Sequence, residues 1–322
     1  MGAQAAALLD GGGPVGDVPA DGPWTGELQL QCPPSFDLAR TALVHGGVGL
    51  APTAWDGRRL HLRLPDPVVV EPEPVARSGF LAGAGPASRS AHASGPAQAS
   101  GSGPLTGPGL TMRWRGRPPD VAVLRRVLAL DDDLEELWAA CDRVPSLRWV
   151  RTTGAGRVLR SPTVWQDLVG TLAGTRASYR STQAMVRSLV GDGPFPGPQQ
   201  VLDGDLTAWG YRASWLRRLA EQVAGGLDVE GLADPEVTDA EAELRVRGLA
   251  GFGPFAAAQL LPLLGRPRPL VLDGWLREQL GGASDAQVHE RYAAMGRWAG
   301  TGAWLEVLAP RLAGPGGGRG AP

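Results

Sequence analysis

A carboxylate that follows a glycine hairpin is the feature of this sequence best suited to chemistry. The hairpin is Leu249-Ala250-Gly251-Phe252-Gly253, and Asp273 lies twenty residues after its second glycine. Glycine permits positive φ and close approach of the backbone to a ligand. Pro254 suits the first position of a following helix, whose free N–H groups bind phosphate. Arginines stand nearby at positions 245, 247, 266 and 268. The segment therefore predicts phosphate binding close to a carboxylate.

The same carboxylate also fits a purely structural role. Asp is a preferred N-cap residue, and a helix predicted over 274–280 begins directly after Asp273. A carboxylate in such a place can equally stabilise developing positive charge or orient an attacking water. Capping and catalysis are compatible, so both roles remain open for Asp273.

Lysine does not occur in the chain, so all 31 basic residues are arginine. The excess of Arg, Ala, Gly and Pro indicates a GC-rich genome. Whatever the cause, no lysine side chain can form an imine, which leaves only the α-amino group for that chemistry. A lysine Schiff-base mechanism is excluded.

Positive charge is unevenly distributed along a chain whose net charge is −2. Between residues 143 and 187 there are eight arginines and one acid, Asp167. A local basic field on a nearly neutral protein is compatible with phosphate binding, and equally with an arginine-rich solvated surface.

Composition narrows the class of protein. Hydrophobic residues make up 43% of the chain, yet no unbroken apolar run is long enough to span a membrane. The N-terminus lacks the basic start of a secretory signal. Cys32 and Cys141 are too few for an iron–sulfur or four-ligand zinc site, and the four histidines show no metal-ligand spacing. We therefore expect two buried cysteines, no metal, and a soluble cytoplasmic protein of a bacterium.

The predicted secondary structure changes from mainly strands to helices near residue 120. Apolar and polar residues alternate at 27–31 and 59–64, a helix with Ser35 as N-cap is expected over 36–45, and an extended pattern resumes at 110–115. Helices are expected after that, at 120–129, 133–141, 162–175, 178–190, 212–225, 238–248, 254–264, 273–280, 285–294 and 301–309. Pro162 would stand in a first turn, and Thr238 with Glu241 would form a capping box.

These patterns predict an α+β fold, with a small β-rich N-terminal domain followed by an all-α domain. The predicted boundaries are a disordered leader at 1–23, the β-rich domain at 24–118, the helical domain at 119–313 and a disordered tail at 314–322. An insertion at 76–108, rich in Ala, Gly, Ser and Pro, cannot bury enough apolar surface to order itself, so we expect it to interrupt one β module.

The order of hairpin, Ala-rich helix, Pro-containing loop and Asp resembles the HhH-GPD superfamily of DNA glycosylases, of the 3-methyladenine and 8-oxoguanine type. Trp209-Gly210-Tyr211-Arg212-Ala213 is similar to the start of a family helix. Gly156–Trp165 is similar to the segment that opens the family's helical domain, and Phe36–Thr41 to the start of its β domain. The resemblance covers roughly residues 30–70 and 110–312, and it implies base flipping and base excision repair.

By this resemblance Asp273 is the catalytic carboxylate. Lyase-competent members carry a lysine in the helix after the hairpin, where this chain has Phe255. The resemblance therefore implies a monofunctional glycosylase, a hydrolase that releases the base by attack of water. It also allows a monovalent cation held by hairpin backbone carbonyls, with no other cofactor.

The DNA-binding residues implied by the resemblance are Gly251, Phe252, Gly253, Tyr211 and Arg212. Tyr211 would fill the vacated stack and Arg212 would bond to base edges; alternatively, Tyr211 would pack internally and Arg212 would bind phosphate. Many relatives carry Asn or Gln where this chain has 171–179, which contains neither, so Arg176 or Tyr179 would contact the orphan base. Candidate base-pocket residues are Phe255, Trp275 and Trp298, each also suited to the core.

Three classes of function fit these residues. The first is an enzyme that removes an alkylated or oxidised base from double-stranded DNA, acting as a monomer. The second is a lesion-binding or DNA-shape-binding protein that has lost catalysis. The third is a structural protein in which the hairpin and the arginines contact partners, and that class predicts little salt-dependent DNA affinity.

Overall fold

The computed structural model describes residues 23–44, 50–72 and 107–312. Nearly all of the predicted leader, most of the predicted insertion at 76–108 and the whole predicted tail lie outside the described residues.

Five antiparallel strands form one sheet near the N-terminus. They are β1 (Gly26–Gln31), β2 (Thr53–Trp55), β3 (Leu60–Arg63), β4 (Pro67–Pro72) and β5 (Gly109–Trp114). Their order across the sheet is β1-β5-β4-β3-β2. Strand β5 follows the predicted insertion and pairs with both β1 and β4, with Met112 opposite Leu28 on one side and Val70 on the other. The insertion thus interrupts a single sheet, as the sequence indicates.

Two short helices cover one face of this sheet. Helices α1 (Leu38–Leu43) and α2 (Val121–Val127) share a buried cluster with strand residues such as Leu60 and Met112. Helix α1 begins later than predicted, because the side chain of Asp37 accepts from the backbone N–H of Arg40 at 2.7 Å and is therefore the N-cap. The prediction of Ser35 as the cap was wrong.

The remainder of the described chain is helical, which makes the fold α+β. The helices are α3 (Glu135–Cys141), α4 (Trp149–Thr153), α5 (Val164–Gly174), α6 (Tyr179–Val190), α7 (Pro198–Asp203), α8 (Arg212–Ala224), α9 (Asp239–Arg247), α10 (Pro254–Leu260), α11 (Gly274–Gln279), α12 (Asp285–Tyr292) and α13 (Ala299–Leu312). Single 3₁₀ turns lie at Pro145–Leu147, Thr207–Trp209, Glu230–Ala233, Leu261–Leu264 and Ala293–Trp298.

Local capping chemistry decides where several helices begin. Thr163 caps α5 by accepting from the N–H of Gln166, so Pro162 lies before the helix and not in its first turn as predicted. Thr238 caps α9 as expected, through the N–H of Glu241, but the predicted capping box does not form, because the Glu241 side chain pairs with Arg245. Helices α4 and α7 were not predicted, since five or six residues are too few to show a helical repeat.

Two apolar clusters hold the helices together. One joins α5, α6, α8, α9 and α10, and the other joins α3, α4, α11, α12 and α13. Cys32 and Cys141 are both buried, as predicted, and burial raises the pKa of the Cys141 thiol to about 12. Among the residues described, no group of His, Cys, Asp and Glu could hold a metal ion. None of the described helices combines the length and apolar character that crossing a bilayer needs.

Candidate nucleic-acid interface and base cleft

The hairpin between α9 and α10 is packed tightly against two other helices. Gly251 adopts φ of 85°, and a Cβ at this residue would lie 2.5 Å from a methyl group of Leu172 and 3.0 Å from the ring of Trp215. Only glycine satisfies both the backbone angle and this contact. Phe252 is buried, whereas Gly253 is exposed. The buried Phe252 side chain therefore anchors the hairpin, and the backbone around Gly253 is exposed to solvent.

Tyr211 stands beside this hairpin. It is 56% exposed, and its ring meets the Trp215 ring edge-on with centroids 5.3 Å apart. Since Trp215 also contacts Gly251, the aromatic pair connects the exposed tyrosine to the hairpin. A large, exposed and supported aromatic ring is suited to insertion into a base stack.

Arg212 has a different place from the one that sequence reasoning assigned to it. Its guanidinium is buried, donates from Nε to the carbonyl oxygen of Thr175 at 3.1 Å, donates to the same oxygen from Nη2, and lies 4.4 Å from the centroid of the Tyr211 ring. Carbonyls at the end of a helix lack intrahelical donors, and Arg212 supplies one at the end of α5. The expectation that Arg212 bonds to base edges is corrected: it orients Tyr211.

Arg176 is an exposed arginine near Tyr211. It follows the end of α5 in a left-handed conformation, with φ of 48°. Arg180 and Arg187 on α6 are also exposed, and none of the three pairs with a carboxylate of the described residues. Arg176 directly follows Thr175, whose carbonyl Arg212 holds beside the Tyr211 ring, so Arg176 supplies positive charge on this side of the hairpin.

Most other arginines that the sequence suggested for phosphate binding are either buried or paired with acids. Arg157 is buried and donates to the Ala129 carbonyl, while Arg160 pairs with Asp132. Near the hairpin, Arg245 and Arg247 pair with acids one turn earlier, and Arg266 and Arg268 are buried. The basic field is therefore smaller than the arginine count indicates.

Asp273 is the N-cap of α11. Its Oδ1 accepts from the N–H of Leu276 at 2.7 Å, so the structural role is confirmed. The carboxylate is half-buried, and Oδ2 accepts no hydrogen bond from the described residues. Val271 and Leu276 share a small cavity with Ala258 of α10, which places the start of α11 against the hairpin helix. The cap at Asp273 therefore uses one carboxylate oxygen, and the helix that it starts lies against α10.

A cleft runs between α5, α10 and the loop before β2; we call it the Phe255 cleft. Phe255 is half-buried and forms part of its wall, as the sequence predicts for a pocket residue. The cleft is lined by Leu50, Ala51, Pro52, Thr53, Leu159, Arg160, Ser161, Pro162, Gln166, Asp167, Gly170, Thr171, Gly174, Thr175, Val186, Phe195, Phe255, Ala256, Gln259 and Leu263.

A buried carboxyl group forms part of the floor of this cleft. Asp167 accepts from the backbone N–H of Ser161 at 2.8 Å and from Nη2 of Arg126 at 2.8 Å. Burial raises the pKa of Asp167 to about 6, because the loss of solvation outweighs the opposing effects of Arg126 and Ser161. Through its hydrogen bond with Arg126, the Asp167 carboxyl group connects α2 to the start of α5. At this pKa the carboxyl group is partly protonated in weakly acidic solution.

Trp275 and Trp298 do not line the Phe255 cleft. Trp275 packs against Trp304, with ring centroids 6.3 Å apart, and Trp298 lines a separate cavity with Asp132. Both side chains contribute to the apolar cluster around α11–α13, where large aromatic surfaces are most readily buried. Their assignment to a base pocket is corrected to a core role.

Sequence reasoning missed the polar lining of the cleft. Asp167 is the single acid of the arginine-rich stretch, and Gln259 is the single polar residue of the Ala- and Leu-rich helix after the hairpin. An isolated polar residue in an otherwise apolar helix is the signal that could have identified Gln259. The loop at Leu50–Thr53 carried no such signal, because only the tertiary fold brings it to α5.

Comparisons with solved structures support the fold. The chain is similar to the Clostridium acetobutylicum 8-oxoguanine glycosylase/lyase in its apo form, with a TM-score of 0.60, 14% identity, and coverage of 88% of this chain and 96% of that chain. The 3-methyladenine DNA glycosylase from Archaeoglobus fulgidus gives a TM-score of 0.56 at 16% identity, covering 89% of this chain and 99% of that chain. The Clostridium enzyme with double-stranded DNA containing cytosine opposite 8-oxoG gives 0.52 at 14% identity, covering 78% and 87%.

No protein-family model matches the sequence, and no curated protein matches it. The likenesses therefore establish the helix-hairpin-helix glycosylase fold, as the sequence resemblance predicts.

Proposed function

We propose that this protein excises a damaged base from double-stranded DNA by hydrolysing its N-glycosidic bond. The observation that carries the proposal is the arrangement around one hairpin of exposed Gly253, exposed Tyr211 and the Phe255 cleft, with half-buried Asp273 capping the helix that packs against α10. The fold shared with DNA glycosylases gives this convergence its context.

Each feature has a role in such a reaction. The hairpin backbone around Gly251–Gly253 binds the DNA phosphates, with Arg176 adding charge near the opposite strand. Tyr211 fills the space that an extruded base leaves in the stack. The extruded base enters the Phe255 cleft, at a cost of a few kcal/mol that a damaged or mismatched pair reduces.

Asp273 is the catalytic residue of the proposal. Cleavage of the glycosidic bond develops positive charge on the sugar, and a carboxylate close to that charge lowers the barrier. Oδ1 is held by the N–H of Leu276, so the carboxylate is oriented before DNA binds. Oδ2 is then available to take a proton from the attacking water.

The proposal assigns hydrolysis without a lysine lyase step. One relative is described as a glycosylase/lyase, but the chain has no lysine, and the position that resemblance assigns to that lysine is Phe255. With no side-chain amine, the product would be an intact abasic site. A monovalent cation at the hairpin, a monomeric state and a cytoplasmic location are further parts of this proposal.

Base release tests the proposal. Duplexes carrying alkylpurines, 8-oxoguanine, hypoxanthine or uracil are incubated with the protein and with Asp273→Asn, and abasic sites are revealed by alkali. We expect release from at least one duplex and its loss in the variant, with DNA binding retained. Equal release by both proteins would overturn the assignment of Asp273.

A second function is a lesion-binding protein without catalysis. The observation that favours it is the absence of Asn and Gln from residues 171–179, the segment in which many relatives carry one. Salt-dependent binding to all damaged duplexes, with no release from any, would select this function.

A further inference from the structure

The amide of Gln259 has a defined orientation in the Phe255 cleft. Its Oε1 accepts from Nη2 of Arg268 at 3.1 Å, and both side chains are buried. A guanidinium has only donors, so the oxygen end of the amide must face it. Gln259 lines the cleft as well, and we expect its NH₂ group to be the end directed toward the cleft.

Arg268 is held in place on its other side. Its guanidinium lies 4.5 Å from the centroid of the Trp304 ring, and no carboxylate of the described residues pairs with it. Burial lowers the pKa of Arg268 to about 9, which leaves it charged at neutral pH. A buried positive charge therefore stands directly behind the amide of Gln259.

The opposite wall of the cleft, formed by α5, has polar atoms without partners. Thr171 is buried, and its hydroxyl has no hydrogen-bond partner within the described chain; the same holds for Oε1 of Gln166. Both residues line the cleft. Buried polar atoms are nearly always hydrogen-bonded in native proteins, so these two indicate a ligand that supplies a donor.

None of the described residues that line the cleft carries an unpaired negative charge. The two charged residues among them are Arg160, which pairs with Asp132, and Asp167, which pairs with Arg126. A cationic base would have to approach the Arg268 charge without a compensating carboxylate. An uncharged base meets no such penalty.

We propose that the Phe255 cleft selects an uncharged base that carries a carbonyl group and a ring N–H, with Gln259 donating to the carbonyl and the α5 wall accepting the N–H. Oxidised purines and deaminated bases are uncharged and have this lactam chemistry. Of the cationic N-alkylated purines, 3-methyladenine has no carbonyl group, and 7-methylguanine keeps the lactam but carries a positive charge. Arg268 is a positioning residue: by donating to Oε1 of Gln259, it orients the amide of that side chain. This inference rests on the proposed function and selects between the oxidised and the alkylated substrates that it leaves open.

Competition between lesions tests the inference. Duplexes with 8-oxoguanine, hypoxanthine or uracil compete in one reaction with duplexes that carry 7-methylguanine or 3-methyladenine. We expect release of at least one lactam base to be at least tenfold faster than release of either cationic base. Equal or faster release of a cationic base would overturn the inference while leaving the glycosylase function intact.

Binding separates this inference from the proposed function. The same duplexes are ranked by competitive binding to Asp273→Asn. If no base is released by the wild-type protein, the proposed function fails. Tighter binding of lactam lesions that is lost on changing Gln259 would still support the inference, and equal binding of all lesions would overturn it.

Gln259→Glu is the discriminating variant. Glutamate has the same length and pairs with Arg268, so the fold should be retained, but it presents no donor to the cleft. We expect lactam release to fall at least tenfold, release of cationic bases to hold or rise, and the melting temperature not to fall. Gln199→Glu, an exposed position on α7, is the matched control. An equal fall in the release rate of both lesion classes would contradict the proposed role of Gln259 in selecting lactam bases.

Thr171→Val offers a second test if Gln259→Glu fails to fold. Valine has nearly the shape of threonine and removes only the hydroxyl. We expect slower release of lactam bases at unchanged stability, since that hydroxyl has no partner within the described chain. Unchanged selectivity in this variant would overturn the role of the α5 wall.

Discussion

The carboxylate of Asp273 accepts a hydrogen bond from the backbone N–H of Leu276 at 2.7 Å, and this contact combines a structural role with the proposed chemical one. Capping α11 uses Oδ1 and directs the side chain before any substrate arrives. The two roles are separable, because an amide can cap a helix but cannot carry the negative charge.

Two substitutions at Asp273 should therefore behave differently. Asparagine is as good an N-cap as aspartate, so Asp273→Asn should retain the melting temperature, whereas Asp273→Ala should lose about 1 kcal/mol of unfolding free energy. Both should reduce base release by roughly 10²-fold or more, because both remove the charge. Urea unfolding and single-turnover base release check these outcomes. A fully active Asp273→Asn protein would contradict the mechanism.

Tyr211 should matter for DNA and not for the fold. It is 56% exposed, so Tyr211→Ala removes little buried surface. Base–aromatic stacking contributes about 1–3 kcal/mol, so affinity for a lesion duplex should fall roughly tenfold or more. Fluorescence anisotropy with labelled duplexes measures this change. Tyr211→Phe keeps the ring and should bind like the wild type; an equal loss in that variant would point to the hydroxyl instead.

Arg212 and Arg176 should give opposite results. Arg212→Ala leaves the partly buried Thr175 carbonyl without its donor and should cost about 1–3 kcal/mol of stability. Arg176 is exposed, so Arg176→Ala should change stability by less than about 0.5 kcal/mol. It should instead weaken DNA binding and lower the slope of log affinity against log salt by about one. An unchanged slope would exclude a phosphate contact at Arg176.

Stability should depend on pH through Asp167. The pKa of this group in the folded protein, about 6, lies above its ordinary value of 3.8, so the folded state holds the proton more tightly than the unfolded chain. The stabilisation that this causes is fully present below the unfolded pKa and is lost as pH rises through 6. Asp167→Asn cannot titrate at this position. As pH rises from the unfolded pKa through 6, the unfolding free energy of the wild type should therefore fall relative to that of the variant. Urea unfolding at pH values from 4 to 7 tests this; a constant difference would mean that the pKa is not raised.

Phe255 offers a gain-of-function test of the hydrolytic mechanism. Borohydride should trap no covalent DNA adduct with the wild-type protein, because no lysine is present. Phe255→Lys would place the single lysine of the chain in the wall of the cleft, where partial burial lowers the pKa of its amine and favours nucleophilic attack. We expect a trapped adduct with this variant, and none with a lysine placed at exposed Gln199. A wild-type adduct that survives blocking of the N-terminal amine would contradict the assignment.

Local sequence determined the parts of this protein that depend on short-range chemistry. The glycine hairpin, the cap at Asp273, the alternating strands and the absence of lysine were all predictable, because backbone angles, capping hydrogen bonds and composition need no distant partner. These features were sufficient for the fold class and for the proposed reaction type.

The tertiary structure alone decided which polar residues face a ligand. Arg212 and Arg268 appear in the sequence as two more basic residues near a glycine hairpin, yet both are buried. Arg212 donates to the carbonyl of Thr175, 37 residues away, and Arg268 lies over the ring of Trp304 and donates to Gln259. The Phe255 cleft likewise joins a loop at residue 50 to helices more than a hundred residues later. Burial and hydrogen-bond partnership arise from such long-range contacts, which a linear pattern does not encode, and they determine whether a charge binds DNA or holds the protein together.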